Sequence, residues 1–123
     1  MATTPVRMSV EVVRKDDERG IIWGYASVAD IVDLQGEVVP QDELVNGVYQ
    51  FMEDYYGQIA TIKENHEETA EAVLVESTFH FLACRLRWYV GVKLLTNDLR
   101  QAAKAGEISG FSIGGTADSE EAA

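Results

Sequence analysis

The chain has one cysteine, Cys84, so no internal disulfide can staple it, and a reducing, cytosolic setting is expected. It has only two histidines, His66 and His80, with no cysteine partner and no HExxH or CxxC spacing. A metal centre is therefore not expected. Basic residues are scarce: 10 Lys and Arg stand against 21 Asp and Glu, for a net charge of −11. Such a chain repels phosphate backbones and anionic lipid, which argues against nucleic acid and membrane as partners. Long apolar runs are missing too, so neither a signal peptide nor a membrane span is read. Gly20, Gly24 and Gly36 do not make a dinucleotide fingerprint, there is no phosphate loop, and no cofactor is expected.

What is present is enough for one core. The 123 residues are 46% hydrophobic, with two Trp, five Tyr and four Phe. One domain over residues 1–117 is expected, followed by an acidic tail over residues 118–123. Cys84 sits in an apolar stretch and is read as a small core residue.

Periodicity sets the element order. Arg7 to Lys15 alternates and reads as a strand, and Asp16 to Gly20 is a polar turn. Ile21 to Val28 reads as a second strand, forming a hairpin with the first, and Gly24 inside it marks a bulge or a close backbone approach. Leu44, Val45, Val48, Phe51, Met52 and Tyr55 predict a helix over Gln41 to Tyr56, with Tyr49 and Tyr56 off its apolar face. Three strands follow, at Gln58 to His66, Ala72 to Phe81 and Cys84 to Leu94. In the last of these, Leu86, Trp88, Val90 and Val92 share one face; Arg85, Arg87, Tyr89 and Lys93 share the other. His80, between Phe79 and Phe81, is read as a core or sheet-face residue. Thr96 caps a short helix through Lys104, with Gly106 as its C′ residue. Glu107 to Gly115 is the final strand. The order predicts an α+β fold, a mostly antiparallel curled sheet or small β-barrel with two flanking helices.

The chemistry concentrates in Gly110-Phe111-Ser112-Ile113-Gly114-Gly115. A serine followed by two glycines leaves room beside its hydroxyl and gives an incoming carbonyl access to backbone N–H groups. A nucleophilic serine also needs an imidazole within hydrogen-bond reach. Asn65-His66, at another strand end, supplies the candidate. His66 is flanked by Glu64, Glu67 and Glu68, which favour its protonated form. The same serine segment also reads as a strand end running into a glycine-rich turn.

Several segments, in order, resemble the prohead-protease family of tailed phages, in its XkdF-like branch. They are Gly24-Tyr25-Ala26, Val32 to Glu37, Phe51-Met52, Asn65-His66, Val73 to Ser77, Trp88 to Lys93, and the run Lys104-x-Gly106-Glu107-x-x-Gly110-x-Ser112. The family comprises capsid-maturation serine proteases related in fold to the herpesvirus assembly protease. The resemblance implies a herpesvirus-protease-like fold and a serine endopeptidase that cleaves scaffold and capsid precursors during head maturation. It implies Ser112 as nucleophile and His66 as general base, with oxyanion donors near Gly114 or Gly115. The third triad member stays open. Glu76 matches a family acid, but a tight hairpin from His66 places it about 13 Å along the sheet. The dyad alone, or with Glu64, is the alternative, and Asp118 is the first acid after the serine. The implied partners are phage scaffold and capsid proteins and a second copy in a homodimer. The implied place is the host cytoplasm, inside the assembling procapsid. A competing expectation is a non-catalytic capsid-assembly module that retains the protease fold. It is favoured by the absence of a further strand after Ser112.

Overall fold

Arg85–Leu94 carries the sequence pattern that fixes the two faces of the sheet. Trp88, Val90, Val92 and Leu94 alternate along it and are all buried, while Arg85, Arg87 and Lys93 keep partial exposure on the opposite side. The computed structural model describes residues 2–30, 38–54, 59–64 and 67–119. Along the chain it runs β1 (Ala2–Glu11), β2 (Arg14–Asp16), β3 (Ile21–Val28), α1 (Gln41–Asp54), β4 (Ile59–Glu64), β5 (Glu67–Leu82), β6 (Arg85–Leu94), α2 (Asn97–Lys104) and β7 (Gly110–Ser119). The strands form one sheet in the order β1-β7-β4-β5-β6-β3-β2, and every pairing is antiparallel. The fold is α+β, as the element order predicts.

The two ends of this sheet are neighbours in sequence. β1 and β2 are separated only by Val12 and Val13. Val12 N–H donates to the Ser109 carbonyl at 3.0 Å and Val13 N–H to the Trp23 carbonyl at 2.8 Å. One segment thus pairs first with β7 and then with β3, so the sheet curls round its core. The expected hairpin with β3 is confined to Arg14–Asp16, because β1 pairs with β7 instead. Gly24 sits at the crossing. A Cβ there would meet the Glu11 carbonyl oxygen and the Val10 side chain, which explains the glycine. The bulge lies one step on, between Tyr25 and Ser27.

Inside the curl lie Val10, Ile22, Ile62, Trp88, Val90, Val92, Leu94, Phe111 and Ile113, each at most 2% exposed. The Trp88 indole N–H is satisfied by Ser77 Oγ at 2.8 Å. α1 buries Leu44 and Val48 and sets Phe51 edge-on against Trp88 at 5.3 Å, the face its spacing predicts. Tyr49 is largely exposed, with its ring edge-on to Phe79 of the sheet at 6.0 Å, while Tyr56 lies outside the described residues. α2 starts as expected: Thr96 Oγ1 accepts from the Leu99 N–H at 3.2 Å. It ends at Ala105, with Gly106 at φ 79°.

Several strand boundaries differ from expectation, among them the start of β7, at Gly110 rather than Glu107. β5 begins at Glu67 rather than Ala72, and the glutamate-rich stretch is held by pairing with β4. β1 begins at Ala2 rather than Arg7 and β7 runs to Ser119 rather than Gly115, each partnering the other. Cys84 is the clearest correction. It is exposed, not buried, and stands at the tip of the β5–β6 hairpin. Ala83 and Cys84 have φ of 52° and 60° between the paired residues Leu82 and Arg85. A two-residue turn with both φ positive suits Asn-Gly, and L-residues with a Cβ are strained in it. Replacing Ala83-Cys84 by Asn-Gly should therefore stabilise the domain by about 1–2 kcal/mol. Urea unfolding checks this, and an unchanged midpoint would show that the turn stores no strain.

Candidate active site

Among the described residues Ser112 is the polar residue that is buried, at 3% exposed. Its neighbours Phe111 and Ile113 point inward, so the serine faces outward. Register places it directly between Ser9 of β1 and Thr61 of β4. Three hydroxyl residues thus form one row across three strands. Nothing in the sequence links Ser9, Thr61 and Ser112, and only the strand register brings them together.

The motif around the serine has a local reason at each step. Lys104 closes α2, and Gly106 takes the positive φ that turns the chain out of the helix. Gly110 enters β7 where a Cβ would stand 3.0 Å from the Val10 carbonyl oxygen. The Val12–Ser109 hydrogen bond also fixes which way the β7 backbone points. In an antiparallel ladder the N–H groups alternate, so those of Ser112 and Gly114 face the β4 side and that of Gly115 faces β1. β4 pairs with β7 only through Ala60 to Lys63, opposite Ile113 to Gly110. Ala60 and Ile113 are a non-hydrogen-bonded pair in that ladder, so the Gly114 N–H is directed to the Ile59 carbonyl.

His66 lies outside the described residues. Glu64 and Glu67, which flank residues 65 and 66 in sequence, pair with each other. Glu64 is three residues along β4 from Thr61, the cross-strand neighbour of Ser112. Glu76 is described and sits elsewhere. It stands on β5 opposite Gly91, and its Oε2 accepts the Trp23 indole N–H at 3.2 Å. From Ser112 it is two strands across and about four residue steps along, roughly 10 Å and 13 Å respectively. Its carboxylate is drawn toward β3, away from β7. A Cβ on Gly91 would meet Trp23 Nε1 at 2.6 Å, so the glycine keeps this contact open.

His80 occupies the outer face of β5, half-buried, stacked on Tyr89 at 4.2 Å with Tyr25 Oη 3.1 Å from its Nδ1. It is a sheet-face histidine, as expected, and lies ten residues along β5 from Ala70, the residue that continues the Ser112 row. Among the described residues no cluster of His, Cys, Asp or Glu could hold a metal ion, and no helix is long and apolar enough to cross a membrane.

A protein-family model described as "Putative phage serine protease XkdF" matches residues 9–121. No curated protein and no solved structure matches the chain. The family match begins at Ser9, the β1 neighbour of Ser112, and runs past the end of β7. With nearly the whole curled sheet inside the matched span, the chain belongs to the XkdF family of phage serine proteases.

Proposed function

We propose that the chain is a serine endopeptidase that cleaves scaffold and capsid precursor proteins during phage head maturation. Ser112 is its nucleophile and His66 its base. The observation that carries this reading is the place of Ser112. It stands within β7, in the segment matched to a serine protease family, in one cross-strand row with Ser9 and Thr61. In the proposed reaction His66 takes the Ser112 proton as the hydroxyl attacks a peptide carbonyl. A backbone N–H donor outside the β4–β7 ladder holds the oxyanion, His66 protonates the leaving amine, and water then releases the acyl group. The dyad is proposed to act without Glu76, whose carboxylate serves Trp23, either alone or with Glu64 as the acid. The partners proposed are phage scaffold and capsid proteins and a second copy of the chain. The proposed setting is the procapsid in the host cytoplasm, with a fold of the herpesvirus-protease kind.

A second reading is favoured by the same residue. A serine 3% exposed within a paired strand suits a capsid-assembly module that keeps the fold without turnover. A serine-reactive fluorophosphonate probe separates the two. The enzyme reading expects labelling that maps to Ser112 by mass spectrometry and is lost on denaturation. No labelling under any assembly condition would favour the module.

A further inference from the structure

The scarce basic residues are not spread evenly. Of the ten in the chain, Arg14, Arg85, Arg87 and Lys93 share the outer face of the β2–β3–β6 end of the sheet. The Arg14 guanidinium lies 4.4 Å from the Trp23 ring centroid and that of Arg87 lies 5.7 Å from Tyr25. Tyr89 and His80 extend this aromatic floor. Among the described residues none of the four cations is ion-paired with a carboxylate; the described pairs are Lys15–Asp17 and Arg19–Asp16. Acids on the same face are already engaged, Glu76 by Trp23 and Asp16 by Arg19 at 2.9 Å.

Arg87 gives its Nε–H to the Leu82 carbonyl and Arg85 one N–H to the Asp30 carbonyl, and a guanidinium has five N–H donors, so others remain for an incoming carboxylate. Arg85 and Arg87 are alternate residues on one face of β6, so their spacing of about 7 Å matches the side-chain repeat of an extended peptide. We propose that this face binds an acidic, extended peptide segment of a partner protein. Charge complementarity selects that occupant. A peptide with a few carboxylates meets the cations locally, whereas a nucleic acid carries a charge at every nucleotide into the field of a chain at −11. The surface lies away from Ser112 and stands whether or not the chain cleaves peptide bonds.

The test is fluorescence anisotropy with a short labelled peptide of alternating Glu and Val, its Gln-for-Glu counterpart, and a single-stranded RNA of similar length. The Glu peptide should bind at least about tenfold more tightly than the Gln peptide, with affinity falling as salt rises. Arg14→Gln and Arg87→Gln should each weaken it by about fivefold or more. Both arginines also pack on rings, so Lys93→Gln is the check against misfolding: it should weaken binding with the melting temperature unchanged. Equal binding of the two peptides, no binding of either, or tighter binding of the RNA would overturn the proposal.

Discussion

Ser112→Ala will reduce cleavage of the cognate scaffold, or of the chain itself, by at least about 10⁴-fold, and His66→Ala will do the same. The double variant will be no worse than either single one, because the proposed nucleophile and base would act as one unit. Two measurements keep this apart from a folding defect. Ser112 is small and buried between Ser9 and Thr61. Losing its hydroxyl should therefore cost only about 1 kcal/mol in a urea titration. Far-ultraviolet circular dichroism should be unchanged. If Ser112→Ala cleaves as well as the wild type, the nucleophile is another residue. If wild type and variant are both inert on every precursor tested, the assembly-module reading takes over.

Gly24→Ala should be the most damaging small substitution in the sheet, at about 3 kcal/mol. The new methyl would meet the Glu11 carbonyl oxygen where β1 crosses β3. A backbone atom fixed by pairing with β7 has nowhere to go, so the curl must open or the strand must shift. Gly47→Ala provides the opposite sign. That glycine lies in α1, and nothing stands within 4 Å of a Cβ built on it. Alanine there should add about 0.5–1 kcal/mol through helix propensity. Thermal melts of the two variants side by side would check both. A tolerated Gly24→Ala would mean that the two strands do not cross so closely in solution.

Local rules account for what was readable in the sequence. The α1 face, the Thr96 cap, the Gly106 exit and the two faces of β6 all follow from neighbours within a few residues. Gly24 was legible because a glycine inside an apolar strand needs a spatial reason. What escaped depends on partners distant in the chain. Glu67 to Glu71 has the composition of a solvated loop and is strand only because β4 lies beside it. Cys84 has apolar neighbours, but a hairpin tip turns it outward, and neither Asn nor Gly marks that turn. At the site, Ser112 and its glycines were readable as a motif. The flanking hydroxyls of Ser9 and Thr61 were not, since each comes from a different strand. Glu76 was named from resemblance, and its tie to Trp23 depends on a register between β3, β6 and β5 that no local pattern encodes.

The pairing of β1 with β7 also bears on how the chain is made. Ala2–Glu11 finds its strand partner only in Gly110–Ser119, about 100 residues later. At translation speeds of about 5–20 residues per second, the opening strand waits on the order of 5–20 s for that partner to be synthesised. During that interval Val10 has no Phe111 to cover it, and one side of β4 lacks its neighbour. The sheet can close only after the segment carrying Ser112 has emerged from the ribosome. A nascent chain stalled before Gly110 therefore holds neither a finished core nor its serine, and completion of the fold and arrival of the proposed nucleophile become one event in time.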